Sequence, residues 1–363
     1  MSQLMAETEL TAQIPLDARA VKALCDGWIA AYFERAIQDA SGLDEGYTAL
    51  WRAAASSTLG GGKRLRPYFL ALSYTACGGR VIEDIIPIAA ACELLHQCLL
   101  IHDDVIDRDY IRHGQPNVAG QFMPRYRALG GDTDHYADSA AILAGDLLLS
   151  DVYAIISESV FPGDIKRRLF AEVRKAVYEV AAGELIDVEA VVRAVYESDP
   201  IKVAKYKTAS YSFVLPLVCG AIIAGASDKK IDLLRQLGLN LGIAFQIQDD
   251  ILGLFGDESK TGKSTLGDLR EGKHTLLIQH ALINASEADR QIIESALGNK
   301  DLTQSEADVV RLFIKSCGAY DTNLSVVHGY VTQAKMTVDE LSLDDDHARA
   351  FTKIIDKLID RDA

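Results

Sequence analysis

Residues 94–109 read LLHQCLLIHDDVIDRD, an apolar run that ends in clustered acids. Asp103 and Asp107 stand four apart, and positions four apart share a helix face, so both carboxylates point the same way. Like charges at that spacing destabilise a bare helix. Asp104 adds a third acid. An apolar helix does not ordinarily end its buried stretch in this way without a cation to hold. A second acidic pair, Asp249 and Asp250, follows another apolar stretch far down the chain. Two such patches facing each other would bind a divalent metal and, through it, a diphosphate. The fold has to be arranged around them.

Apolar residues recur at helical spacing almost everywhere else. The pattern predicts helices over 17–38, 50–58, 68–76, 85–110, 139–158, 164–195, 201–226, 229–255, 274–285, 305–335 and 346–360. Pro67 fits the first turn of the third of these, and Pro87 that of the fourth, where a missing N–H costs nothing. The GlyGlyGly of 60–62 breaks the pattern, residues 111–138 read as a loop with short helical pieces, and 256–273 form a second loop rich in glycine and charge. No β alternation, hairpin turn or fixed-period repeat is visible. The expectation is an all-α protein: a loose arm over 1–16, then one large helical bundle over 17–363, with acids and basic loops at one end.

The formal net charge of −15 disfavours nucleic acid or an anionic membrane as a partner. Six scattered cysteines without a CxxC pair read as reduced thiols of a cytoplasmic protein. Residues 1–14 lack the marks of a signal peptide. The apolar stretch 211–226 contains Pro216 and is short for a membrane span, so it reads as a buried core helix.

Magnesium takes hard oxygen ligands, usually one or two carboxylates plus substrate phosphates. The acidic pairs suit that chemistry. GGGKRLRP at 60–67 offers an anion cradle: glycines admit a close backbone approach, and Lys63 and Arg66 supply charge and donors. It is not a Walker loop. Arg112, Lys207, Lys263 and Lys273 are further cations, several of them beside the acidic motifs. Any one of these features alone is commonly a solvated helix end or an ordinary basic loop. The set suggests a site for more than one diphosphate.

These residues resemble the trans-type isoprenyl diphosphate synthases, the polyprenyl synthetases. The carrying strings are GGGKRLRP, ELLHQCLLIHDDVIDRD with IRHGQP, AAILAGDLLLS, KYKTASY, FQIQDD and TGKSTLGDLREGKHT, in the family's order over roughly residues 60–280. The resemblance implies an all-helical fold with a central cavity, a homodimer, and head-to-tail condensation of isopentenyl diphosphate onto an allylic diphosphate (dimethylallyl, geranyl or farnesyl). It implies that Asp103, Asp104 and Asp107 form the first aspartate-rich motif and Asp249 and Asp250 the second. Together they would hold three magnesium ions, with Asp103, Asp107 and Asp249 as ligands. Arg112, Lys207 and Lys263 match contacts to the allylic diphosphate, and Lys273 a supporting position. Lys63, Arg66 and His96 match the isopentenyl diphosphate site. Thr208 and Gln246 match residues near the developing carbocation.

Two departures stand out. His113 replaces the second of two arginines that often follow the first motif, on the isopentenyl side. Gly253 takes the third place of the second motif, with Asp257 nearby to compensate. Cys98, five residues before the first aspartate, is small where Phe or Tyr often stops the product at fifteen carbons. With Leu99 it points to geranylgeranyl diphosphate, and Cys98→Phe is expected to shorten the product. Farnesyl or longer polyprenyl products come next. A class I terpene cyclase would replace the second aspartate pair by an Asn/Asp-Ser/Thr-Glu motif and would not need GGGKRLRP. A non-catalytic subunit would have eroded one aspartate motif.

Overall fold

The computed structural model describes residues 17–256 and 265–359, except the side chain of Tyr196. The expected arm at 1–16, and Asp257 and Lys263, lie outside them. The fold is all-α, as the spacing predicts. In order come α1 (Ala18–Ser41), α2 (Glu45–Leu59), α3 (Leu65–Ala76), α4 (Ile82–Ile106), α5 (Val118–Leu129), α6 (Thr133–Glu158) and α7 (Gly163–Ala190). Then follow α8 (Pro200–Val203), a π-helical segment (Ala204–Val214), α9 (Leu215–Ile223), α10 (Asp228–Phe255) and α11 (Gly267–Glu271). The chain ends in α12 (Leu276–Asn284), α13 (Glu287–Ala296), α14 (Gln304–Ser316), α15 (Ala319–Glu340) and α16 (Asp345–Ile359).

α4 lies at the centre of the largest core. Ile85, Ile88, Leu94, Leu95 and Ile101 are fully buried against α1, α3, α6 and α9. Pro87 sits inside this helix, not in its first turn, because the helix starts at Ile82. It also ends earlier than the apolar pattern suggests. Asp107 is its C-cap, and Arg108 turns the chain with φ 59°. The first acidic motif therefore stands on the last turn of a helix. That end carries the negative pole of the helix dipole, which disfavours acids and favours cations.

Two corrections bear on the site. Residues 111–116 form a small antiparallel hairpin, with Ile111 facing Pro116 and Arg112 facing Gln115. Its turn residues, His113 (φ 51°) and Gly114 (φ 73°), both take positive φ, as a two-residue turn of this hand demands. Histidine tolerates that conformation better than most side chains. The second concerns 201–226, where one straight α-helix was expected. Its middle is wound as a π-helix, and with its flanks it spans Pro200–Ile223. Close packing holds the wide turns. A methyl on Gly183 of α7 would run into the backbone N of Lys207, and one on Gly242 of α10 into Ala209.

Three helices, Ile82–Ile106, Thr133–Glu158 and Pro200–Ile223, are long and apolar enough to cross a membrane by length and composition. Length thus gives no ground for setting the third aside. Burial inside the protein accounts for the apolar character of the first and third, while α6 leaves Ile142 and Leu143 exposed.

Residues 305–335 are not one helix. Gly318, at φ 78°, separates α14 from α15. A second core forms where Leu254 and Leu269 meet Ile278, Ile293, Val310 and Ile314.

Candidate active site

Lys207 stands at the centre of the acidic end. The π-helical winding aims its ammonium at Asp103 Oδ1 (3.2 Å) on α4 and at Glu184 Oε1 (3.0 Å) and Asp187 Oδ2 (2.8 Å) on α7. Burial opposes its charge, but Asp103, Asp187 and Glu184 more than reverse that and raise its pKa. The acids are held up in turn. Burial and then Asp103 push Asp107 to about 6, and burial pushes Glu184 to about 7 against the pull of Lys207.

Arg112 folds back from the hairpin onto the first motif. Its Nε donates to Asp104 Oδ1 at 2.7 Å, and its NH2 lies 3.2 Å from Asp103 Oδ2. The hairpin register sets that direction.

On α10 a polar chain runs inward. Thr208 donates to Gln246 Oε1 (2.6 Å), and Gln246 Nε2 donates to Asp250 Oδ1 (2.8 Å). Burial, followed by Asp268, raises Asp250 well above the usual carboxylate range. Lys273 pairs with Glu271 (2.6 Å) and Asp268 (3.5 Å). Its charge also acts on Asp107 and on Asp250. Lys273 is thus within electrostatic reach of both acidic motifs. Asp268 packs where a side chain on Gly253 would have to go: a methyl there would meet Asp268 Oδ2. The place of the expected third acid of the second motif is taken from α11.

A second basic pocket lies beside the first motif. Arg66 donates to Ser212 Oγ (2.7 Å), stacks over the Tyr211 ring (5.1 Å) and faces Glu93 (3.8 Å). His96 Nδ1 is 3.2 Å from Tyr211 Oη. Burial, then Arg66, Arg112 and Arg64, lower the pKa of His96 well below its ordinary value, so the ring is neutral at neutral pH. Arg66 Nε is buried without an acceptor. Lys63 and His113 are exposed on the glycine loop and the hairpin turn.

Arg64, which carries no site role in the sequence reading, is the buried clamp of this loop. At φ 48° it reaches Asp26 (2.7 Å), the Thr58 carbonyl (2.8 Å) and Glu93 (3.4 Å). Glu93 therefore serves one buried and one partly buried guanidinium group. Glu93→Gln is expected to cost about 3–5 kcal/mol, the range for leaving a buried charge without its partner. Denaturant unfolding measures it, and a loss under about 1 kcal/mol, the scale of an exposed ion pair, would refute this account of the clamp.

Behind the mouth lies a small apolar cavity of about 10 Å³, with Ile88, Cys92 and Leu95 of α4 on one wall and Val152, Val173 and Cys219 opposite. Leu99 continues the α4 row up to Asp103. Cys98 is buried beside it on the α6 side, its Sγ 3.9 Å from His102 Nδ1.

Sequence reasoning missed Glu184, Asp187, Tyr211 and Glu93. The first two sit in GELID, three apart on a helix face beside a glycine, a weak signal that is visible in retrospect.

The polyprenyl synthetase pattern matches residues 48–313. The geranylgeranyl diphosphate synthase of Sulfolobus acidocaldarius is 33% identical over 294 residues, covering 78% of this chain and 84% of that one. The geranylfarnesyl diphosphate synthase of Aeropyrum pernix is 33% identical over 313 residues, 83% of this chain and 91% of its own. A crystal structure of the geranylgeranyl pyrophosphate synthase from Corynebacterium glutamicum, complexed with isoprenyl diphosphate and magnesium, superposes with a TM-score of 0.89 at 29% identity, covering 95% of this chain and all (100%) of that one. Motif order, helical architecture and sequence agree: the chain belongs to the polyprenyl synthetase family.

Proposed function

We propose that the protein condenses isopentenyl diphosphate with an allylic diphosphate (dimethylallyl, geranyl or farnesyl) in a magnesium-dependent reaction, with geranylgeranyl diphosphate as product. One observation carries this reading. Two acidic helix ends share the field of Lys273, Lys207 holds the first of them, a separate Arg66–His96 pocket adjoins, and a small apolar cavity lies behind.

The donor set fits magnesium. Among the described residues no three His, Cys, Asp or Glu converge as a ready cage. Magnesium suits such a site, because it binds through one or two carboxylates and completes its shell with substrate oxygens and water. Asp103, Asp107 and Asp249 would hold it, three ions in all, and Asp104 and Asp250 would support them. Bound magnesium supplies positive charge where the leaving diphosphate gathers negative charge.

The chain's own groups do the rest. Lys207, Arg112 and Lys273 exchange carboxylate partners for diphosphate oxygens and, with Lys263, stabilise the departing group. Thr208 donates its hydroxyl hydrogen bond to Gln246, so its oxygen lone pairs remain for a nearby positive charge. Neutral His96 pairs at Nδ1 with the Tyr211 hydroxyl, and a neutral ring keeps one N–H to donate. With Lys63, Arg66 and His113 it would bind the second diphosphate. The apolar chamber excludes water, which would otherwise capture the cation as an alcohol.

The test is an assay of the purified chain with isopentenyl diphosphate, each allylic primer and magnesium, with product length read by chromatography. No prenyl transfer with any primer would sink the reading, and cyclised hydrocarbon would mean a cyclase. Asp107 adds a pH signature. Its folded pKa of about 6 lies above the ordinary value of 3.8, so protons compete with metal as pH falls through 6. Half-saturating magnesium is expected to rise between pH 7 and 5, in that window.

We read the chain as a cytoplasmic homodimer of one-domain subunits. The cysteines of the chain are all free thiols, which fits a reducing compartment. Tyr136, Ile142 and Leu143 on α6, with Leu129 on α5, leave apolar area exposed that a second copy would cover. Sedimentation at the monomer mass would exclude the dimer.

A further inference from the structure

α14 looks at first like packing alone. Ala307, Val310 and Ile314 are fully buried on one face, against Leu254 and Leu269. Arg311 shares that side of the helix, and only 13% of its side chain is exposed. Its Nε donates to the Leu254 carbonyl at 2.6 Å. Its NH2 donates to the Thr265 carbonyl (3.0 Å) and to Thr265 Oγ1 (2.8 Å), and its NH1 to Asp308 (2.5 Å).

Leu254 lies one turn beyond Asp250, in the last turn of α10. Carbonyls there have no partner within the helix, and a cation suits the dipole. Thr265 leads into α11, which carries Asp268 and delivers Lys273. A single planar fork thus joins the end of the helix with Asp249 and Asp250 to the start of the segment with Asp268 and Lys273. An ammonium is a point charge on a flexible stem and does not reproduce that fork. The other side of α11 is also anchored: Arg270 donates to the Leu302 carbonyl (2.7 Å), and the Gly298 N–H to the Leu269 carbonyl (2.8 Å).

We propose that Arg311 is a positioning residue for prenyl transfer, setting where Lys273 stands relative to the second aspartate pair. This deepens the functional reading above and rests on it. None of the groups Arg311 touches belongs to the Arg66–His96 pocket, so its effect is one-sided.

The experiment compares wild type with Arg311→Met, Arg311→Lys and a control, Arg235→Met. The control breaks a two-pronged pair with Glu172 (3.0 and 2.8 Å) in the N-terminal half of α10, away from the acids. The KM for allylic diphosphate and half-saturating magnesium are expected to rise by about ten- to a hundredfold in Arg311→Met, the usual range for a lost supporting contact. Arg311→Lys is expected to fall between. The KM for isopentenyl diphosphate stays at the wild-type value. Without prenyl substrates, the rise in Tm given by magnesium and inorganic pyrophosphate shrinks in both variants. The control loses Tm and keeps every KM. If the Arg311 variants behave like the control, the contact is structural only and the proposal is overturned. Should Arg311→Met fail to fold, Arg311→Lys decides by the same readouts. Inactive wild type would instead overturn the functional reading.

Discussion

Lys207→Met lowers the rate of prenyl transfer by about 10²–10³, the scale for removing one preorganised donor to a developing negative charge. The side chain is held by Asp103 at 3.2 Å, Glu184 at 3.0 Å and Asp187 at 2.8 Å, so it is already placed before any substrate arrives. Removing it leaves Glu184 and Asp187 without their cation and Asp103 with Arg112 alone, at the point where a diphosphate must enter. The variant also carries a stability signature. Burial already pushes Glu184 up to about 7 against the opposing pull of Lys207. Without that pull its folded pKa rises further above the unfolded value of 4.5. A group whose folded pKa is raised contributes stability below the unfolded pKa and loses it as pH rises through the folded one. The stability gap between wild type and Lys207→Met is therefore expected to widen from pH 5 to pH 8. Steady-state kinetics and denaturant melts at both pH values check this. Activity within a few-fold of wild type would mean that Lys207 serves Asp103 and not the substrate.

Much of this site was legible because it is written in charge and in short spacing. Acids at the ends of apolar helices and a glycine-rich basic loop depend on local sequence, while Thr208 and Gln246 are singled out by the family resemblance. The structure gathers Asp103, Lys207 and Arg112 into contact, and Thr208, Gln246 and Asp250 into one chain. What was not legible depends on how helices meet. The early end of α4 turns on Arg108 adopting positive φ, which no periodicity reveals. The π-helical winding needs Gly183 and Gly242 on two other helices. Glu184 and Asp187 look like the solvated face of an amphipathic helix until Lys207 arrives from elsewhere. The strings that carry the family resemblance stop near residue 280, short of the last helices. In the structure, Arg311 connects them to the acidic end.

The other large effect is on product length, and depth along α4 orders it. A helix rises about 1.5 Å per residue, so position 98 lies about 7.5 Å below Asp103 and position 92 about 16.5 Å below. Cys98 and Cys92 are both small and buried, and Cys92 and Leu95 line the cavity itself. A chain growing away from the acidic mouth passes the level of position 98 first, where Cys98 stands on the α6 side of the row formed by Leu99, Leu95 and Cys92. Cys98→Phe is therefore expected to give the shortest products, Cys92→Phe products between those and wild type, and Leu95→Ala longer ones. Leu95→Ala is also expected to cost about 2–5 kcal/mol in stability, as a core truncation that leaves a cavity. Each phenylalanine adds volume to a packed wall and costs about 1–3 kcal/mol. Chromatography of the products from one primer reads the series. If Cys92→Phe stops the chain as short as Cys98→Phe does, depth along α4 does not set length. If neither changes the distribution, the chain leaves this cavity aside, and the wall that stops it stands on another helix.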